Sequence, residues 1–457
     1  MIAPARLAAF RALQAVAFGR TDLPAALVRA RDALQDDRDR ALAGEIATGS
    51  LRWQAAFDRL ISTFAGRPVE RLDPEVLTIL RLSIFQLLHL DRVPAAAVVD
   101  DAVELTRKAG KRSAAGFVNA LLRRVSRERR HLPLPPEPAN AADRSSTLDY
   151  LSITLSHPRW LVERWLDRYG YKAAAEWARF NNEAAALTLR VNTLRESRDG
   201  LADALRSNGV ETAPSRFAPD GLIAIQGNPL LTPLAHTGRF VVQDEASQLV
   251  GAFVNAQPGE YILDACASPG GKTTQMAASM TDRGQIVAAD VRGRRVDLLT
   301  RTVRESGALS VRIVQADARG ALPFLDRQFD AVLIDAPCSG LGTIRRDPDI
   351  RWRRSASDLP VLAAAQLEML ETAARLVKPG GRLIYATCSS EPEENEEVVE
   401  AFVRAQPGFE IASSAPDGIA DAVIDERGFL RTLPFRDGLE AFFAARLVFQ
   451  GPVTVNS

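Results

Sequence analysis

The sequence predicts an all-α helical domain and an α/β Rossmann-like domain, joined by a small α+β subdomain. Three observations predict it. Residues 1–132 hold long Ala/Leu/Arg stretches with few strand-like alternations. A proline-rich polar stretch, 133–146, then interrupts the pattern. From Gly259 onward, short apolar runs alternate with helical patterns, as strands alternate with crossover helices in a doubly wound sheet. The boundaries expected are 1–132 helical, 133–146 linker, 147–240 small α+β and 241–457 α/β.

In the helical region, Asp73-Pro74 reads as a helix start, with Asp as N-cap and Pro at the first helical position. The helix that follows is apolar on most of its surface, which predicts the buried centre of a bundle. Val98 to Leu105 begin another helix, and Ser113 is positioned to cap a third, from Ala114 to about Arg130.

Pro133, Pro135, Pro136 and Pro138, followed by polar residues to Ser146, predict a stiff linker. Beyond it, Trp160, Leu161, Trp165 and Tyr169 mark an amphipathic helix. Leu187–Val191, Gly221–Ile225 and Arg239–Val242 read as short strands. The α/β region offers candidate strands at Tyr261–Ala265, Gln285–Ala289, Val311–Ala316, Phe329–Ile334, Gly381–Ala386 and Ala441–Phe449, with a helix over Leu362–Val377. All are expected in one parallel sheet with ligands at its C-terminal edge.

Composition narrows the class. A chain 46% hydrophobic and 25% charged is an ordinary globular one. Three cysteines exclude a disulfide framework and suit a reducing cytoplasm. The most apolar long run, Pro74 to Leu90, contains Glu75, Arg81, Gln86 and His89, so no membrane span is expected. Arg6 and Arg11 interrupt the N-terminal apolar pattern, which argues against a secretory signal. The net charge is zero, 57 basic against 57 acidic residues, but the balance is regional. Residues 1–132 carry 22 Lys and Arg against 15 Asp and Glu, a net +7, which leaves −7 for the remainder. Clusters such as Lys111-Arg112 and Arg123-Arg124 are either a solvated helix face or a phosphate-contacting patch, and charge alone does not choose.

The first α/β strand runs into Asp264-Ala-Cys-Ala-Ser-Pro-Gly-Gly-Lys-Thr273. A strand, a glycine turn and a helix N-terminus form a nucleotide-cofactor site, because glycines allow close approach and the helix offers free N–H donors. The P-loop pattern fails, since its first glycine would fall on Cys266. The dinucleotide Gly-x-Gly-x-x-Gly pattern fails as well. Asp290, Asp317 and Asp335 end the next three strands. A carboxylate after the second strand can accept hydrogen bonds from ribose hydroxyls. Three acids in register around one loop fit an adenosine-type ligand such as S-adenosylmethionine.

Cys338 follows the fourth strand and Cys388 the fifth, so the topology brings both to the edge that carries the glycine loop. A lone cysteine is usually a small buried hydrophobe, but two at one cofactor edge are not lone. A metal site is not expected, for no His or further Cys has ligand spacing nearby. The chemistry that uses a thiol beside S-adenosylmethionine is methylation of pyrimidine C5. A thiolate adding to C6 makes C5 nucleophilic, and a base then removes the C5 proton. Spacing does not say which thiol attacks.

Pro337-Cys338 with Thr387-Cys388, the Asp264–Thr273 loop and Ile344-Arg-Arg-Asp-Pro-Asp-Ile-Arg-Trp352 together resemble the RNA cytosine-C5 methyltransferases. The N-terminal region, ending in Gly116-Phe-Val-Asn-Ala-Leu-Leu-Arg-Arg124, resembles the NusB-type RNA-binding domain. The combination is similar to the RsmB/Sun (Fmu) family, which methylates 16S ribosomal RNA of the small subunit. That resemblance implies that Cys388 attacks C6 and that Cys338 assists product release. It implies that Asp335 faces cofactor and cytosine. It assigns Cys266, Ala267, Ser268, Pro269, Gly270, Gly271 and Lys272 to the methionine and ribose side of S-adenosylmethionine, Asp290 to the ribose and Asp317 to the adenine. Ser268 stands where the family usually has Ala, a change that removes no group the chemistry uses. Arg112, Arg123 and Arg124 on the helical domain, and Arg345, Arg346 and Arg351 on the basic loop after Cys338, are the expected RNA contacts. The expected partner is small-subunit ribosomal RNA, bound by a cytoplasmic monomer without metal or membrane. Transfer RNA as substrate, or a non-catalytic antitermination-type role, are the alternatives.

Overall fold

The computed structural model describes residues 2–320 and 322–451. Residues 1, 321 and 452–457, which the expected 1–132 and 241–457 regions include, lie outside the described residues. The chain divides into two compact units, Met1–Ala184 with Ile344–Ala356, and Ala185–Thr343 with Ser357–Ser457.

In the first unit, seven helices (Pro4–Ala17, Leu23–Arg31, Asp37–Arg52, Gln54–Ala65, Pro74–His89, Ala95–Lys108 and Ala115–Glu128) surround one apolar core. The helix Pro74–His89 is its centre, with Ile79, Leu80 and Ile84 fully buried. Asp73 stands at the N-cap position, yet its side chain does not cap the helix. It accepts instead from Lys111 Nζ at 2.9 Å, because a full charge competes better for the carboxylate than a backbone amide does. Ser113 likewise does not cap; a 3-10 turn, Arg112–Ala114, leads into the last of these helices.

The proline-rich stretch is packed rather than free. Leu132 and Leu134 lie against the helical core, Pro135 O accepts from Thr154 Oγ1 at 2.6 Å, and Glu137 accepts from Tyr171 and Arg179, each at 2.8 Å. The units accordingly part at Ala184, after the helix Arg159–Asn182.

The second unit holds two sheets. The smaller contains β1 (Thr188–Val191), β2 (Glu211–Pro214), β3 (Gly221–Gln226) and β4 (Phe240–Val242), in the order β2-β3-β1-β4. The sequence pattern misses β2, which ends on Pro214. Proline is admitted there because β2 is an edge strand.

The larger sheet is built from β5 (Tyr261–Asp264), β6 (Gln285–Asp290), β7 (Val311–Gln315), β8 (Phe329–Asp335), β9 (Val377–Thr387), β10 (Phe409–Ile411), β11 (Leu430–Arg431) and β12 (Phe443–Phe449). Its order is β10-β12-β9-β8-β5-β6-β7, with β11 beside β12. Strands β5 to β9 pair in parallel, as a doubly wound sheet requires. The expected all-parallel sheet is corrected at its far side. There β12 inserts between β9 and β10 and runs antiparallel to both, so the sheet is mixed. Helices Gly271–Ser279, Gly293–Ser306 and Asp358–Ala374 supply crossovers, the last ending three residues before the expected Val377.

Candidate active site

The strand register explains why the two thiols meet. Asp335 at the end of β8 pairs with Ala386 near the end of β9, and Ala336 N–H donates to Ala386 O at 2.8 Å. Adjacent parallel strands release their loops from the same edge. Cys338 and Cys388 follow within three residues, and their sulfurs lie 3.3 Å apart. Gly342 closes the arrangement. Its N–H donates to Cys388 O at 2.9 Å, and its own carbonyl accepts from Ala441 N–H at 3.1 Å. A Cβ at position 342 would collide with the Ala441 and Cys388 carbonyls, so only glycine fits.

Beside the thiols, Lys272 Nζ donates to Asp335 Oδ2 at 2.7 Å and lies 5.8 Å from the Phe442 ring centroid. Burial alone would lower the Lys272 pKa. The charge and hydrogen bond of Asp335 overcome that, a Cys388 thiolate adds to them, and the ammonium is held more firmly than an ordinary lysine. Asp264 is different. It is 1% exposed, and burial pushes its carboxyl up to about 7, although the Thr273 hydroxyl bonded to it at 2.7 Å pulls the other way.

Gly270 (φ +106°) turns the loop into the helix Gly271–Ser279, a conformation that an L side chain rarely adopts. Behind the loop stands Arg190 of β1, 2% exposed. It donates to the Gly271 carbonyl, to Gln243 Oε1 at 2.8 Å and to Thr274 Oγ1 at 2.8 Å. Burial lowers its pKa to about 10, with Asp220 as the opposing charge.

On the other side of the loop lies a cavity of about 330 Å³, within the range of small-molecule sites. Cys266, Asp290, Asp317, Ala316 and Pro337 are among the residues lining it. The lining offers apolar faces and two carboxylates after strands, acceptors that fit an adenosine with its ribose hydroxyls donating. Ser268 N–H and Arg295 Nε donate to Asp290 Oδ2 at 3.2 and 3.0 Å. Asp317 is held below the usual carboxylate range, chiefly by the Arg319 backbone N–H. Burial, and after it the charge of Asp264, push the Cys266 thiol far up, so it is a poor nucleophile. Ala267 N–H bonds Ala289 O at 2.9 Å, and Pro269 follows a cis bond from Ser268.

Sequence reasoning missed a buried polar clasp between the thiol loops. Glu394 is 0% exposed. Its Oε1 accepts from Ser339 N–H at 2.8 Å and Gln366 Nε2 at 3.0 Å, and its Oε2 accepts from Ser389 Oγ at 2.6 Å. The available signal was Gln366, a polar residue inside the otherwise apolar face of the helix Asp358–Ala374.

The expected RNA contacts divide. Arg112, Arg123 and Arg124 are exposed on the helical unit, Arg123 bonded to Asn119 and Arg124 to Glu128. Arg345 and Arg346 are half-buried, and Arg345 donates to Ala184 O at 2.7 Å and stacks on Phe180. Arg351 is a correction. It is 0% exposed and donates to Ser156 O at 2.8 Å, Asn182 Oδ1 at 3.0 Å, and Arg52 O and Asn181 O at 3.3 Å. A guanidinium enclosed by carbonyls holds the helical unit together and offers nothing to a phosphate. Among the described residues, no group of three or more His, Cys, Asp or Glu could hold a metal ion, and no helix is long and apolar enough to cross a membrane.

Comparison with known proteins agrees with this architecture. The family 16S rRNA methyltransferase RsmB/F matches residues 252–448, the NusB family residues 3–127, and the RsmF/B-like ferredoxin-like domain residues 157–230. The probable ribosomal RNA small subunit methyltransferase B of Bacillus subtilis is 34% identical over 420 residues, 91% of this chain and 92% of that one. The ribosomal RNA small subunit methyltransferase B of Pseudomonas putida is 34% identical over 452 residues, covering 97% and 98%. The crystal structure of PH0851 superposes with a TM-score of 0.80 at 29% identity, covering 98% of this chain and 99% of that chain. The N-terminal helices are thus a NusB domain, the Rossmann-like unit carries the methyltransferase fold, and the cofactor is S-adenosylmethionine. The chain belongs to the RsmB/F family of ribosomal RNA small subunit methyltransferases.

Proposed function

We propose that this methyltransferase acts on C5 of a cytosine in small-subunit ribosomal RNA, through a transient covalent bond between Cys388 and C6 of the ring. The observation that carries the reading is the pair of thiols 3.3 Å apart, next to the Lys272–Asp335 ion pair. The names of the relatives supply the substrate class.

Cytosine C5 is too weak a nucleophile to take a methyl group directly. The Lys272 ammonium, held by Asp335, interacts with the charge that develops on Cys388. The Cys388 thiol gives its proton to the Asp335 carboxylate; as the sulfur–C6 bond forms, the C5=C6 electron pair moves into the ring, and Asp335 passes that proton to N3 to neutralise it. C5 is then nucleophilic. S-adenosylmethionine supplies an electrophilic methyl group when bound. To finish, C5 must lose its proton and C6 its sulfur. The Cys338 thiol donates to the departing Cys388 sulfur, and the Cys338 thiolate so formed takes the C5 proton as C5=C6 is restored. Working thiols this close require a reducing compartment, which supports a cytoplasmic location.

The test uses labelled S-adenosylmethionine and small-subunit ribosomal RNA. Cys388→Ala abolishes C5 methylation, and full methylation by that variant would show that another group attacks. Cys338→Ala accumulates a protein–RNA adduct on a denaturing gel. Normal turnover without adduct would remove Cys338 from the release step.

A further inference from the structure

The thiol reading leaves one question open: what makes two thiols in contact behave differently. The buried clasp answers it. Glu394 accepts hydrogen bonds from the residue after each cysteine, Ser339 N–H at 2.8 Å and Ser389 Oγ at 2.6 Å. Gln366 ties the same carboxylate to the Cys338 loop a second time, donating to Glu394 Oε1 at 3.0 Å and to Pro337 O at 3.1 Å. Tyr385 OH fixes Gln366 in turn, bonded to its Oε1 at 3.0 Å. Ser339 Oγ and Ser389 Oγ close the ring at 3.1 Å. Glu394 and Gln366 are both 0% exposed. Every partner of the carboxylate donates, which is the pattern of an ionised acceptor. Its negative charge therefore sits in a dry site one residue from Cys338, while the Lys272 ammonium attracts a Cys388 thiolate.

Resting on the proposed thiol chemistry, we propose that Glu394 is the positioning residue that assigns the two roles, holding Cys338 against Cys388 as proton donor and preventing it from acting as a second nucleophile. Three ionisable groups act around the touching pair: Glu394 and Tyr385 interact with Cys338, and Lys272 faces Cys388. Cys338 is held well above the ordinary thiol range, first by its bond with Cys388, then by burial, and Glu394 adds to both. Without the Glu394 charge a larger share of Cys338 is already thiolate before release, so fewer molecules carry a proton for the departing sulfur and adduct is left standing.

The experiment compares wild type, Glu394→Gln and Ser389→Ala as full-length proteins. Iodoacetamide alkylation of Cys338 is followed against pH by peptide mass spectrometry, and adduct on ribosomal RNA by denaturing gel. Glu394→Gln is expected to lower the pH midpoint of Cys338 alkylation by about one unit and to accumulate adduct. Ser389→Ala removes one donor, leaves the carboxylate less compensated, and is expected to raise the midpoint. A merely structural clasp would move both variants in the same direction, and that result, or no movement in either, overturns the proposal. Should Glu394→Gln fail to fold, the direction of the Ser389→Ala shift decides alone. Ribosomal RNA containing 5-fluorocytosine separates the two levels of inference, because a C5 fluorine cannot leave as a proton and traps any thiol adduct. A wild-type protein that traps none refutes the thiol chemistry itself. A wild type that traps adduct, with unshifted variants, refutes only the role of Glu394.

Discussion

Replacing Asp264 by Asn should make the protein more stable above neutral pH, against the usual cost of altering a buried polar residue. Asp264 ends β5 at 1% exposure, and its Oδ1 has no hydrogen-bond partner. Burial is the main reason its carboxyl is pushed up to about 7, from an ordinary 3.8, with Asp335 and Asp290 repelling the charge and Thr273 and Lys272 favouring it. Between pH 3.8 and about 7 the folded protein keeps a proton that the unfolded chain has released. Stability therefore falls as pH rises through that window and levels off above it. A gap of about 3 units at 1.36 kcal/mol each amounts to about 4 kcal/mol, an upper bound on the loss.

Asn has the shape of the protonated acid and does not titrate. Its amide nitrogen finds no acceptor where Oδ1 stood, which costs about 1–3 kcal/mol at every pH. The slope is thus the test rather than the offset. Urea denaturation of both full-length proteins at pH 4, 5, 6, 7 and 8 gives a difference at each pH in which all other titrations cancel. The difference should move in favour of Asn by about 4 kcal/mol from pH 4 to 8. A difference independent of pH, or one moving toward Asp, would mean that Asp264 is ionised in the fold and that its neighbours, not burial, govern it.

Two further outcomes follow from the glycine positions and their supports. Arg190→Met removes the donors that hold the Gly271 carbonyl and Thr274. It should weaken S-adenosylmethionine binding about tenfold by calorimetry, the equivalent of one hydrogen bond of about 1.4 kcal/mol; an unchanged dissociation constant would free the loop from this support. Gly342→Ala sets a methyl against the Ala441 and Cys388 carbonyls and must displace the Cys388 loop. Methylation should fall about 10²-fold while S-adenosylmethionine still binds, and wild-type turnover would contradict the packing.

What the sequence discloses, and what it hides, follows from range. The thiols are legible because each follows its own strand, and a doubly wound sheet sends consecutive crossovers to one edge. The cofactor loop is legible because its glycines and its helix are contiguous. Arg351 is misread because a charged loop looks the same in sequence whether it faces solvent or lies under a helix. Its acceptors come from Arg52, Ser156, Asn181 and Asn182, 169 or more residues away. Arg190 is hidden for the same reason, since Gln243 and Thr274 lie 53 and 84 residues further along. The antiparallel β12 escapes because its pattern of buried apolar residues is identical in either direction. In each case the local pattern is compatible with two environments, and only a distant partner distinguishes them.

The electrostatics around the thiols carry the same lesson into the chemistry. Two cysteines 3.3 Å apart in equivalent surroundings would exchange roles freely, and either could attack. The surroundings are not equivalent. Lys272, from the cofactor loop, attracts a negative Cys388, whereas Glu394, from the segment after β9, repels a negative Cys338. On the proposed chemistry, a cation on one side and an anion on the other give the pair a direction, with the proton on Cys338 and the attack from Cys388. Lys272 is also paired with Asp335, so in that proposal the cytosine contact, the nucleophile and the cofactor loop share one charge. In the same proposal each member of that set, Lys272, Asp335 and Glu394, is a control on which sulfur is the better nucleophile.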